Sequence, residues 1–167
     1  MWESIKHKFE KYPARLNVAR KMVELGLRVG HDHKIYCGNL RINDVALAKA
    51  ANVDRKAIKS TIVFILNDED LTGIFENILP AGTFLKNIAK NLGLGVIEIE
   101  VGDENIGILA VASKLITERG ISIRQAYATD IHLDETPTLT IITEQIVPGD
   151  LIEEFLEING VLRVSLY

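Results

Sequence analysis

The sequence predicts an α+β protein: an all-α N-terminal half, a helical connector, and a C-terminal half whose elements run β-α-β-β-α-β. Two patterns carry that prediction. Apolar residues recur at spacings of three and four as far as Leu92, and strict apolar/polar alternation first appears at Ile97. Charge divides along the chain as well. Residues 1–67 hold 13 Lys/Arg against 6 Asp/Glu, and residues 68–167 hold 6 against 17. A length of 167 residues with 47% apolar content suits one domain or two small ones with real cores.

From Pro13 the chain reads PARLNVARKMVELGLRVG, with Leu16, Ala19, Val23 and Leu27 at helical spacing and Gly26 and Gly30 marking the end and the following loop. Asn43 or Asp44 can cap a short helix running to about Ala51, and Asp54 can cap a second from Arg55 to about Leu66. Two short helices joined by a three- or four-residue turn describe a helix-turn-helix. Ala48 stands where the two helices must approach closely, while Val53, Ile58 and Ile62 supply the contacts that set their angle. Asn52 occupies the turn, and Asn tolerates left-handed backbone better than other residues with a side chain.

Leu47-Ala48, Val53 and Ile58 fit the form LAxxxxVxxxxI, and this stretch resembles the helix-turn-helix of many prokaryotic transcription regulators. It departs from the usual pattern in Asn52 and in Thr61, a position where an apolar residue is common. The resemblance implies double-stranded DNA as partner, with the second helix in the major groove and its first residues at base edges. Arg55, Lys56, Lys59 and Ser60 lie away from the Ile58/Ile62 stripe and are the candidate DNA contacts, with Arg41 as a phosphate contact before the first helix. The alternative is a three-helix module that packs on protein, its lysines forming a solvated face.

His31, His33 and Cys37 are metal-ligand types spaced H-x-H-x-x-x-C in the loop before these helices. A structural zinc site takes four ligands, and Cys37 is the sole cysteine. The loop therefore reads as polar, with no metal and no cofactor expected. A single cysteine also fits a reducing compartment, and no apolar run approaches the roughly 20 residues of a membrane span. The N-terminus lacks the apolar stretch of a signal peptide, so a cytoplasmic protein is expected.

Residues 68–80 carry Leu71, Ile74, Phe75 and Ile78 with acids in the first turn and Pro80 at the stop. Thr83 to Leu92 adds a second helical stripe ended by Gly93 and Gly95. The expected division is thus a DNA-binding domain over 1–67, a helical connector over 68–95, and a regulatory domain over 96–167.

In the last of these, IEIEV alternates as a half-buried strand, and Ile108, Val111, Ala112, Leu115 and Ile116 give a helical stripe stopped by Gly120. Ile121, Ile123, Gln125 and Tyr127 alternate as a second strand, and TLTIITEQ is a third. Pro148-Gly149 opens a second helix with Leu151, Ile152, Phe155 and Leu156, and VLRVSLY closes the domain. That order is the ferredoxin-like arrangement, an antiparallel sheet with helices on one face. IEIEV and TLTIITEQ lack the aromatics an RNA-binding version displays, which disfavours RNA.

Asn105-Ile106-Gly107 after the first strand and Ile121-Ser122-Ile123 at the second are similar to the ACT domain, a small module that senses amino acids. The family implies that two such domains pair, making a homodimer, and that the effector sits near their interface against the turn after the first strand. The first N–H groups of the following helix, around Ile106 and Ile108, suit a carboxylate there, with Gly107 letting backbone approach. Asp103 or Asn105 would take the ammonium group, and Ile123 and Gln125 would line the side-chain pocket. An ordinary helix cap at Asn105 is the alternative.

A helix-turn-helix followed by an ACT domain in a chain of this length resembles the archaeal family of predicted regulators of amino acid metabolism. The function expected is an amino-acid-responsive, dimeric transcription regulator. The alternative from another class is an allosteric subunit that docks on a metabolic enzyme without binding DNA. Catalysis is not expected, since neither a P-loop nor a G-x-S-x-G elbow is present.

Overall fold

The computed structural model describes residues 2–102, 106–130, 132–134 and 136–167. It is mixed α+β, with helices and two antiparallel sheets, and the chain divides into two compact units between Gly82 and Thr83.

In the first unit, α1 (Trp2–Phe9) and α2 (Pro13–Glu24) lead into β1 (Leu27–Val29), β2 (Ile35–Cys37) and β3 (Leu40–Ile42), followed by α3 (Asp44–Ala50), α4 (Arg55–Leu66) and α5 (Glu69–Phe75). The expectation of an all-α half is therefore corrected: β1, β2 and β3 form an antiparallel sheet in that order. Leu27 is a strand residue, not the end of the α2 stripe. Gly26 ends the helix at φ +64°, and a Cβ there would stand 2.8 Å from Pro80 Cα. The face that α2 buries is accordingly Val18, Ala19 and Met22.

Helix α4 is the centre of this unit and packs on α2, α3 and α5. Its apolar stripe Ile58, Ile62 and Ile65 is buried, as are Leu47 and Ala48 of α3. The turn between α3 and α4 is held locally. Asn52 takes φ +52°, and the Val53 N–H donates to Ala48 O at 3.0 Å. Asn43 caps α3 through the Val45 N–H (2.8 Å), and Asp54 caps α4 through the Lys56 N–H (2.7 Å). Thr61 is fully buried, its hydroxyl donating to Ala57 O at 2.7 Å, which removes the cost of a polar group at an apolar position.

Two turns of 3₁₀ helix, Lys86–Ile88 and Lys90–Leu92, replace the predicted helix over 83–92. The Leu85 N–H donates to Gln125 Oε1 (3.0 Å), and the following amides bond three residues back, so the segment lies against the second unit's sheet. Helix α5 stops at Phe75 rather than at Pro80.

That second unit runs β4 (Gly95–Val101), α6 (Ile108–Glu118), β5 (Ile123–Ala128), β6 (Thr138–Thr143), α7 (Leu151–Leu156) and β7 (Val161–Leu166), with sheet order β5-β6-β4-β7, antiparallel throughout. One face (Ile97, Ile99, Leu139, Ile141) packs on Ile108, Ala112 and Ile116 of α6 and Leu151 and Phe155 of α7. The other face, at Val96 and Ile142, is covered by Leu85, Ala89 and Leu94. Arg119 binds Asp150 (2.8 Å) and Glu154, tying the end of α6 to α7.

Candidate nucleic-acid and effector sites

Four of the five predicted DNA-contact residues present exposed side chains: Arg41 on β3 and Arg55, Lys56 and Lys59 on the first turns of α4. Ser60 differs. It is half-buried and its hydroxyl donates to Ala57 O at 3.1 Å, so that donor is spent within the helix. The remaining cations fall into two groups that share Lys59. On one side Arg41, Arg55 and Lys59 surround a hollow of about 410 Å³ together with Lys34, Asn43 and Asp44. On the other, Lys56, Lys59 and Ser60 border a hollow of about 550 Å³ with Arg15, Val63 and Phe64.

Lys34 and Arg15 are absent from the sequence-based set. Arg15 is positioned by aromatic rings, its guanidinium carbon 4.3 Å from the Tyr12 centroid and 5.1 Å from that of Phe64. Lys34 is placed by the turn from Gly30 to Lys34. The Gly30 N–H donates to Lys34 O at 2.8 Å, and Asp32 accepts from the Lys34 N–H (3.2 Å) and the Tyr36 hydroxyl (2.7 Å). That hydroxyl holds the Asp32 carboxyl below its ordinary pKa, and Asp32 in turn raises that of Tyr36. Gly38-Asn39 between β2 and β3, with Gly38 at φ +56°, is a hairpin signal that could have revealed the sheet and this turn.

His31, His33 and Cys37 are not assembled into a ligand set. Among the described residues there is no group of three or more His, Cys, Asp or Glu able to hold a metal. His31 Nδ1 lies 2.9 Å from Glu76 Oε1, and Cys37 is half-buried on β2 opposite Leu27 and Leu40.

In the second unit the predicted effector residues are dispersed, and Asp103 and Asn105 lie outside the described residues. Ile106 is 99% exposed, whereas Ile108 is 2% exposed and belongs to the core. Gly107 takes φ +85° as the N-cap of α6, and a Cβ built there meets nothing within 4 Å. The positive φ favours glycine there whatever the space around it.

Ile123 and Gln125 do not share a pocket either. A bulge at Arg124 pairs Ile123 with Thr143 but Gln125 with Ile142, so the two side chains leave opposite faces of the sheet. Ile123 packs on the helix-side core. Gln125 accepts from Leu85 N–H and donates to Thr83 O (both 3.0 Å), and is therefore a clamp on the 83–85 segment. Beside it the rings of Phe84 and Tyr127 sit 5.0 Å apart. A hollow of about 240 Å³ does open at the start of α6, lined by Ile108, Leu109, Val101, Ala128, Thr129 and Thr138.

No protein-family model matches the chain. No curated protein matches it. Among solved structures, a transcriptional regulator of Neisseria meningitidis in complex with L-methionine is a neighbour at 10% identity, over 92% of this chain and 86% of that chain, with a TM-score of 0.26. Among the described residues, no helix is long and apolar enough to cross a membrane.

Proposed function

We propose that this protein is a dimeric, cytoplasmic transcription regulator that binds duplex DNA through a helix-turn-helix formed by α3 and α4. An ACT-like second unit would take an amino acid effector, and no catalytic step is part of this reading. The observation that carries it is the division of α4: Ile58, Ile62 and Ile65 are buried, while Arg55, Lys56 and Lys59 stand exposed at its N-terminal end. A helix fixed by one face with cations at its leading end suits insertion into a major groove between two phosphate chains.

Support for the effector half is the βαββαβ order and the hollow at the start of α6. The hollow's walls are apolar with two threonines, the lining expected around an aliphatic side chain. In the sequence-based site, Ile123 and Gln125 hold other posts, so the pocket of this reading moves to Val101, Ile108, Leu109 and Ala128. Strands β5 and β7 end the sheet with one unpaired edge each, and edge pairing with a second copy would form the homodimer.

The test is duplex binding by the full chain across potassium chloride concentrations, wild type against Arg55→Ala and Lys59→Ala. Each variant is expected to weaken binding several-fold at low salt and to flatten the slope of log affinity against log salt by about one. If the wild type shows no salt-dependent binding, or neither variant changes it, the groove assignment is wrong. The exposed Val63 and half-buried Phe64 beside Arg15 would then favour the other reading, a subunit that docks on an enzyme.

A further inference from the structure

The geometry points to a dedicated phosphate seat beside the recognition helix, in the hollow of about 410 Å³ between the 30–34 turn, β3 and α4, that receives one phosphodiester of duplex DNA. This rests on the DNA-binding reading and assigns to Lys34, Arg41 and Lys59 a role distinct from base reading.

Four cations, Lys34, Arg41, Arg55 and Lys59, converge on the hollow from three separate elements, against one carboxylate, Asp44. Asp44 lies 4.0 Å from Arg55 Nε, the limit of an ion pair. Among the described residues no carboxylate comes within that distance of Lys34, Arg41 or Lys59. An anion that enters the hollow meets all four positive charges.

The cations are held in place by the surrounding structure. Lys34 does not ride on a loose loop: the Gly30–Lys34 turn is closed by its own backbone bonds, with Asp32 holding both the Lys34 amide and Tyr36. Tyr36 pairs across the sheet with Arg28 on β1 and Arg41 on β3, and the Arg28 guanidinium lies 4.7 Å over its ring. Asp32 is thereby occupied on its own turn, and Arg41 is carried on a strand rather than a flexible arm. Asn43 Oδ1 is engaged as the α3 cap, which leaves its amide nitrogen and the charged groups as the donors of the lining. A phosphodiester is the anion of choice because the hollow adjoins the leading end of α4, where the backbone bordering a major groove would run.

The experiment measures affinity of the full chain for an arbitrary 24-base-pair duplex and for a second of unrelated sequence, each across a potassium chloride series. Variants are Lys34→Ala, Asp44→Asn and, as reference for the recognition helix, Lys56→Ala. The Lys34→Ala slope is expected to fall by about one, with the same fold-loss on both duplexes, because a phosphate contact carries no sequence information. Asp44→Asn is expected to tighten binding several-fold on both, a gain that misfolding cannot mimic. If Lys56→Ala weakens binding while Lys34→Ala and Asp44→Asn change nothing, the seat is refuted and the DNA reading stands. If the wild type binds no duplex, both fall. Calorimetry with inorganic phosphate separates the remaining source: phosphate binding lost in Lys34→Ala, with the duplex slope unchanged, would make the hollow a free-anion site and overturn the proposal.

Discussion

Gly107, Asn52 and Gln125 show how single residues set the geometry around each candidate site. Gly107 sits at φ +85° in open space, so replacing it charges the chain with backbone strain and nothing else. Gly107→Ala is expected to lower stability by about 1–2 kcal/mol, read as a shift of the urea midpoint without a change in slope. An unchanged midpoint would mean the turn relaxes freely. The caps Asn43 and Asp54 were legible in the sequence because their side chains accept from amides two residues away, and Asn52 because asparagine tolerates the positive φ of the turn. Gln125 was not. Its alternation with Ile123 is correct as a pattern, but the bulge at Arg124 inserts one residue and reverses the face of everything after it. Nothing local marks that bulge, and the bonds from Gln125 reach residues some forty positions away.

Among the elements, α3 and α4 were readable almost to the residue, since cap, apolar stripe and turn residue all agree there. The strands β1, β2 and β3 span three residues each, too short for a period to show, and only the Gly38-Asn39 turn announced them. The segment over 83–92 carried a helical stripe yet folded as 3₁₀ turns. Packing on the sheet and the Gln125 clamp outweighed local preference.

Helix α5 supplies a pH test at this scale. Asp68 caps it through the Leu71 N–H (3.0 Å) and binds Lys8 Nζ (2.7 Å), which also meets Asp70 at 2.7 Å. The Lys8 ammonium, chiefly through its hydrogen bond, holds the Asp68 carboxyl below its ordinary pKa. A lowered folded-state pKa stabilises above the unfolded value of about 3.9 and loses that contribution as pH falls through the folded value. Asp68→Asn is therefore expected to destabilise at pH 7 and to reduce the loss of stability between pH 5 and 3, followed by urea unfolding at each pH. Identical pH profiles for the two proteins would remove Asp68 as the responsible group.

For the whole molecule, the charge division falls at residue 67, whereas the two compact units meet after Gly82, within the segment expected as a connector over 68–95. Helix α5 with its acids belongs to the first unit, which leaves 13 Lys/Arg against 10 Asp/Glu there. The cations at the candidate DNA site come from α4, β3, the 30–34 turn and Arg15 of α2. Function on this account requires the two units to communicate. An effector can change DNA affinity only by its differential affinity for the two states, and couplings of this kind are typically about 5- to 150-fold.

The most direct test of the central claim is the affinity of the full chain for duplex DNA at fixed salt, measured without additive and with each of the twenty amino acids at millimolar concentration. The account predicts binding without additive and a shift of at least about fivefold, in either direction, with one amino acid or a chemically related few. Duplex binding that no amino acid moves, or no binding under any of these conditions, would contradict it.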